Sequence, residues 1–517
     1  DSKQKYACHY RLPSRRTLNI ATTKAIALNG IKGEVVTVEV DIADGLPGYS
    51  LLGLPDAALN ESRDRVRAAL VNSAQAWPNR KLTISLLPAW LPKQGSGFDL
   101  PIAMGILAAS GVVSDISELL FVGELSLEGA IRNTRGVLPS LIAALQNGIK
   151  RAVIPAANLA EAQLVPEIQI FAFERLNEVI SWLHTGELIE QAKFDLAIPN
   201  GEKELDFADV AGQSSARRAA EISAAGGHNF LMIGPPGVGK TMIAERMPSI
   251  LPPLTKTENL EVTAIHSITN SNRPPLSTYA PFIAPHHSTT RIAMVGGGAH
   301  SIKPGVCSLA HRGVLFIDEA PECSNGVLDS LRQPLESGSI TISRANGNLT
   351  FPARFILVLA ANPCPCGKFS GRGRGCTCSS LQIRRYLNKL SGPLLDRIDL
   401  RVKVENVSRA ELAEASNEPS SSIRTRVINA RKIAATRFAS ESWQLNSEIP
   451  SSALRNRYQP DRRAMNFLHD ELDKERITAR GLHKIIRTSW TIADLKNLER
   501  PTLEEVEESY RLREGVE

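Results

Sequence analysis

Gly234-Pro235-Pro236-Gly237-Val238-Gly239-Lys240-Thr241 follows the apolar run Leu231-Met232-Ile233, and its Gly-x4-Gly-Lys-Thr spacing suits binding of a nucleoside triphosphate. The glycines leave backbone N–H groups bare to curl around phosphate oxygens, and a following helix would aim its positive N-terminus at the same anion. Lys240 can reach the β- and γ-phosphates and Thr241 can ligate magnesium, so ATP and Mg2+ are the expected cofactors. A ligand-free glycine turn would account for this loop but not for a second motif downstream. Gly313-Val314-Leu315-Phe316-Ile317-Asp318-Glu319 reads as a strand buried on both faces, ending in two carboxylates at the sheet edge where α/β folds bind ligands. Asp318 is the expected magnesium ligand, and Glu319 the group that polarises attacking water. A third apolar run, 355–361, ends in Asn362, an amide able to orient that water. Arg397, within Leu394-Leu395-Asp396-Arg397-Ile398-Asp399, offers a guanidinium that could complete a neighbouring subunit's site; the alternative is an ordinary ion pair within its own chain.

Cys364, Cys366, Cys376 and Cys378 form a C-x-C-x9-C-x-C pattern holding four of the chain's seven cysteines. In a reducing compartment such thiolates could close a tetrahedral shell around zinc, although the usual spacing within a pair is C-x2-C and unliganded loop thiols are the alternative. The same loop carries Lys368, Arg372 and Arg374 among glycines and no acidic residue, which suits sequence-independent contact with a phosphate backbone; a solvated basic loop would look alike. Two further inserts are candidates for gripping a threaded polymer. One is the glycine-rich stretch 296–305 with Lys303, the other a hairpin predicted to turn at Asn346-Gly347 with Arg344 near its tip.

Positioning these groups requires an α/β core with a parallel sheet over residues 207–404, carrying the cysteine loop 364–378. Before it, residues 18–195 mix alternating strands with helical patterns at 57–73 and 100–110, an α+β domain joined by a polar linker at 196–206. After it, 405–517 reads as helical throughout; Arg480, Lys484 and Arg487 share one helix face, and Arg480 is the candidate to lean over the nucleotide. Residues 1–17 are polar, basic and unpatterned, expected to be a disordered extension. Hydrophobic content of 43% with 22% charged residues describes a globular chain, and a net charge of +6 over 517 residues is too mild to imply a polyanion by itself. No apolar run approaches the ~20 residues of a membrane span and no signal-peptide core is evident, so a cytoplasmic, membrane-free location is expected.

The chain resembles the ComM/YifB family of magnesium-chelatase-like AAA+ ATPases from residue 18 onward. The resemblance is carried by Ala284-Pro285-His286-His287, Gly296-Gly297-Gly298, the Val314–Glu319 motif, Asn362-Pro363-Cys364-Pro365-Cys366-Gly367 and Arg487-Thr488-Ser489-Trp490-Thr491-Ile492-Ala493-Asp494-Leu495. It implies a ring motor, expected to be a hexamer, with Walker A at 234–241, Walker B at Asp318 and Glu319, Asn362 as sensor 1, Arg397 as a finger acting in trans and Arg480 as sensor 2. It further implies branch migration on DNA, single-stranded or branched and without sequence preference, during recombination in natural transformation, where recombination proteins would be possible partners. The alternative activity is a chelatase-type motor that remodels a protein partner. Residues 18–195 resemble the Lon-protease fold, which raises ATP-dependent proteolysis as a rival. Against it, Gly97 and Leu138 stand where that family's serine and lysine belong, which leaves Ser96 with Lys93 as the residual dyad candidate.

Overall fold

The computed structural model describes residues 20–93, 95–186, 205–269, 273–274, 277–298, 302–344, 347–369, 375–407 and 418–515. Two compact units result, Asp1–Asp195 and Leu196–Glu517. The expected extension 1–17 and most of the linker 196–206 lie outside the described residues, as do Arg372 and Arg374.

In unit 1, β1 (Ile20–Asn29), β2 (Lys32–Ala43), β3 (Gly48–Leu52), β4 (Lys81–Leu87), β5 (Leu120–Phe121), β8 (Arg151–Pro155) and β9 (Gln169–Phe173) form one mixed sheet in the order β3-β4-β2-β1-β5-β8-β9. A separate short pair, β6 (Glu124–Leu125) and β7 (Ile131–Arg132), lies in the chain between β5 and β8. The alternation read from 34–41 is real: Val36, Val38 and Val40 are fully buried, and their sequence neighbours are not. They pack with the helix Asp99–Ala109, which is apolar on almost every face and buried along nearly its whole length.

Unit 2 contains β10 (Phe230–Ile233), β11 (Phe282–Ile283), β12 (Gly296–Gly297), β13 (Lys303–Pro304), β14 (Val314–Ile317), β15 (Ser339–Arg344), β16 (Gly347–Pro352), β17 (Ile356–Ala361) and β18 (Leu400–Lys403). Five of them form a wholly parallel sheet, β11-β14-β17-β10-β18. Every residue of β14 and β17 is buried, as continuous apolar runs in a two-sided sheet require. Two hairpins leave this core. β12 pairs with β13, and β15 pairs with β16 from Ser339↔Pro352 to Arg344↔Gly347.

That register corrects the expected turn, because Gly347 belongs to the strand and the two-residue connection is 345–346, outside the described residues. The register follows side-chain contacts further down the ladder. Ile340 and Phe351 are buried as a facing pair and the Thr341 and Thr350 hydroxyls meet at 3.0 Å, which leaves the turn one residue earlier than the Asn-Gly signal suggests.

The chain then closes with the helices Ser420–Arg437, Ser451–Asn456, Arg462–Asp473, Ala479–Leu495 and Leu503–Glu514. Asp461 and Thr478 cap two of them through their side chains, and the Trp490 indole N–H donates to the Tyr458 carbonyl at 2.9 Å inside their core. Among the described residues no helix is long and apolar enough to cross a membrane.

Candidate functional site

Parallel strands deliver their C-terminal ends to one edge, and there β10, β14 and β17 release the phosphate loop, Asp318-Glu319 and Asn362 respectively. The result is an open cleft of about 370 Å³ lined by Pro236, Gly237, Gly239, Lys240, Thr241, Met242, Asp318, Glu319 and Asn362. Two glycines are required for different reasons. Gly239 holds φ at 94° immediately before the helix Lys240–Ile250, whereas a Cβ on Gly234 would lie 2.1 Å from the Val404 carbonyl oxygen.

Lys240 is almost fully buried. Its ammonium donates to the carbonyls of Gly234 at 2.6 Å and Pro235 at 2.8 Å, and to Asn362 Oδ1 at 3.2 Å. Burial lowers its pKa, and the nearby charges of Asp318 and Glu319 oppose that shift. The Thr241 hydroxyl donates to Asp318 Oδ2 at 2.9 Å, so two hard oxygen donors of the kind magnesium takes meet at the mouth of the phosphate loop. Glu319 adopts φ of 47°, a left-handed conformation that side chains other than glycine rarely take, and its N–H donates to Asp318 Oδ1 at 2.8 Å. This turn swings the two adjacent carboxylates into one cleft despite the alternation of a strand.

One contact escaped sequence reasoning. His287 Nδ1 lies 3.7 Å from Glu319 Oε2, and its ring sits 4.0 Å from that of His286. The signal was the His-His pair just beyond an apolar run, but only the pairing of β11 with β14 brings it to Glu319.

Arg397 and Arg480 are not among the residues that line the cleft. Arg397 pairs with Glu336 and donates to the Pro393 carbonyl at 2.5 Å, while Arg480 pairs with Asp396 at 3.0 Å. The three cations expected on one face therefore diverge. Arg480 stays largely exposed, but the Lys484 side chain is buried against Asp399 at 2.5 Å and Arg487 Nε donates to the Ile449 carbonyl. Asp399 also accepts from the Asn229 N–H at 3.0 Å, tying the helix Ala479–Leu495 to the foot of β10.

Beside the cleft, Cys364, Cys366, Cys376 and Cys378 converge, with every sulfur within 4.8 Å of the others. Cys364 Sγ lies 3.3 Å from that of Cys366 and 3.7 Å from that of Cys376, so sequence-distant thiols share one centre of the kind zinc takes. Lys303 and Lys368 are exposed, and Arg344 ends β15.

In unit 1 the residual dyad does not assemble. Lys93 is fully buried and donates to the carbonyls of Leu86, at 2.8 Å, and Pro88, while the Ser96 hydroxyl donates to Glu124. Among the described residues no hydrogen bond joins Lys93 to Ser96.

With this geometry in place, three family models match: Magnesium chelatase, subunit ChlI, over residues 206–412; Subunit ChlI of Mg-chelatase over 38–158; and Magnesium chelatase, subunit ChlI C-terminal, over 417–513. An uncharacterized protein of Mycobacterium tuberculosis is 45% identical over 494 residues, covering 95% of this chain and 98% of that protein. Competence protein ComM of Haemophilus influenzae is 42% identical over 492 residues, with 93% and 94% covered, and YifB of Escherichia coli 39% over 502, with 96% and 97% covered. The magnesium-chelatase subunit ChlI of Euglena gracilis is 25% identical over 226 residues, 43% of this chain and 62% of that subunit.

Proposed function

This chain belongs to the ComM/YifB family of AAA+ ATPases, related to the magnesium-chelatase ATPases, and hydrolyses ATP with Mg2+; we propose that hydrolysis drives a ring of identical subunits, a hexamer, along DNA. The product is branch migration, which extends integration of incoming single strands during recombination in natural transformation. The observation that carries this reading is the near full-length match to a competence protein, against 43% of this chain for the chelatase subunit, the relative that favours a protein-remodelling motor.

In the ATPase step the N–H groups of the loop and the helix Lys240–Ile250 hold the phosphates, and Lys240 exchanges its carbonyl partners for β- and γ-phosphate oxygens. Thr241 and Asp318 would hold the magnesium ion, which would supply positive charge against the phosphates. Glu319 takes the proton of the attacking water and Asn362 orients that water. Arg397, outside its own subunit's cleft, serves a neighbour's as the finger, and Arg480, on the helix Ala479–Leu495 of the lid, serves as sensor 2. Lys303 and Arg344 on the two hairpins contact DNA in the pore, with Lys368, Arg372 and Arg374 adding backbone contacts from the cysteine loop. Residues 18–195 act as a Lon-protease-like scaffold without proteolysis, followed by a linker at 196–206, the motor core at 207–404 and a lid at 405–517.

The deciding measurement is branch migration on a three- or four-stranded junction, together with ATP turnover with and without DNA, using Lys240→Ala as control. DNA should accelerate turnover, and Lys303→Ala should lose that acceleration while keeping the basal rate. Turnover indifferent to every DNA offered would overturn the proposal.

A further inference from the structure

The cysteine centre and the phosphate loop touch. Gly367 follows Cys366, takes φ of 74°, and presses its bare Cα so close to Pro236 that a Cβ there would lie 2.7 Å from both Cγ and Cδ of the proline ring. Pro236 itself lines the nucleotide cleft. A second strut runs through the backbone. Asn362, two residues before Cys364, accepts from Lys240, and the carbonyl of Ala361 accepts from the Gly234 N–H at 3.1 Å. The turn between Cys364 and Gly367 has one backbone hydrogen bond of its own, Gly367 N–H to the Cys364 carbonyl at 2.9 Å. A metal joining Cys364 and Cys366 to Cys376 and Cys378 would fix that turn far more firmly.

We propose that the four cysteines hold a zinc ion whose role is to buttress the nucleotide site: by locking the turn that carries Gly367, it sets the Pro236 wall of the phosphate loop and couples metal binding to ATP binding. This deepens the ATPase reading and rests on it. Coupling between sites is reciprocal, so whatever factor zinc contributes to nucleotide affinity, nucleotide contributes to zinc affinity.

The test uses the full chain, purified under reducing conditions, with metal counted by elemental analysis and affinity read with a fluorescent ADP analogue. One zinc per chain is expected. Stripping it with a chelator should weaken nucleotide binding about tenfold, within the usual range for coupled sites, and zinc alone should restore it. Nucleotide should raise zinc affinity, read by competition with a chromophoric chelator, by the same factor. Pro236→Ala leaves every thiol in place; it should keep one zinc per chain, yet its nucleotide affinity should no longer respond to stripping. The coupling is overturned if wild-type affinity is the same with and without zinc, or if Pro236→Ala responds as wild type does. Absence of metal from fresh reduced protein overturns the site itself. Neither result touches the ATP assignment, which would fall only if Lys240→Ala bound the analogue as well as wild type.

Discussion

Each unit contains a buried lysine beside a glycine turn that feeds a helix, and the two arrangements have opposite meanings. In unit 2, Lys240 rests on the carbonyls of Gly234 and Pro235, Gly239 precedes the helix at φ 94°, and the first helical turn holds no acidic residue. In unit 1, Lys93 rests on the carbonyls of Leu86 and Pro88, and Gly95 takes φ 86° ahead of the turn Ser96–Phe98. The helix that follows begins with Asp99, fully buried, paired with Arg65 at 2.7 Å and accepting from the Leu125 N–H at 3.3 Å. Unit 1 thus supplies its own anion at the helix start, where unit 2 presents a cleft to one from outside. A buried lysine on main-chain oxygens is a site only if an anion can reach it.

The largest effect expected from this contrast is between the two lysines. Lys240→Ala should abolish detectable nucleotide binding. Lys93→Ala should leave nucleotide affinity intact and destabilise unit 1, at about 1–3 kcal/mol for each buried carbonyl left without a donor. Because Lys240→Ala too leaves two carbonyls without a donor, it should destabilise unit 2 by a similar amount. Nucleotide titration and thermal unfolding on both variants check it, and an exchange of the two phenotypes would dissolve the comparison. Next in size, Glu319→Gln should keep nucleotide affinity while turnover falls by roughly 100-fold or more, the usual weight of a general base. Equal loss of binding and turnover would instead make Glu319 a ligand of the nucleotide.

The contrast also shows what the chain discloses in one dimension. The parallel core was legible because β14 and β17 are unbroken apolar runs ending in Glu319's and Asn362's segments, and because phosphate loops need glycine at set spacings. What escaped depends on partners chosen by tertiary packing. The carbonyls that seal Lys93 are five and seven residues away, around a bend between a strand end and a loop that no periodicity reveals. The pairing of His287 with Glu319 needs the neighbouring strands β11 and β14 in register. The hairpin turn moved by one residue because a buried Ile340–Phe351 pair outweighs the preference of Asn-Gly. Arg397 is paired with Glu336, 61 residues earlier, so the guanidinium was legible and its resting partner was not.

A smaller effect separates the units by pH. Burial lifts Asp99 from its ordinary 3.8 to about 6, outweighing Arg65, with Glu124 adding to the rise. The folded state therefore holds that proton more tightly than the unfolded chain does. Its contribution is complete below pH 3.8 and is lost as pH rises through about 6. His228 behaves oppositely. Burial, aided by Lys484 and Arg487 and opposed by Asp399, pushes it from 6.5 down to about 4, so its contribution is present above pH 6.5 and lost as pH falls through about 4. His266, also near 4 and buried in unit 2, acts in the same direction. Calorimetry between pH 7 and 5 should show unit 1 gaining about 1 kcal/mol while His228 and His266 together cost unit 2 about 3–4 kcal/mol. Asp99→Asn should flatten the first trend, and parallel movement of both transitions would remove the distinction.

The smallest effect concerns Ser96, whose hydroxyl donates to Glu124 while the Glu124 N–H donates to Thr134 Oγ1 at 3.1 Å. A serine nucleophile needs a base that can take its proton and pass it to a leaving group. Glu124 is held in a local polar network, and Lys93, the amine nearest in sequence, is committed to two carbonyls. Ser96→Ala should therefore cost no more than about 1–2 kcal/mol of unit 1 stability, the worth of one half-exposed hydrogen bond to a charged group, and leave ATP turnover and its response to DNA unchanged. Peptide hydrolysis should be absent from wild type and variant alike under ATP. An ATP-dependent peptidase activity present in the wild type and lost in Ser96→Ala would show that the sealed loop opens, and that unit 1, like unit 2, has a site that works.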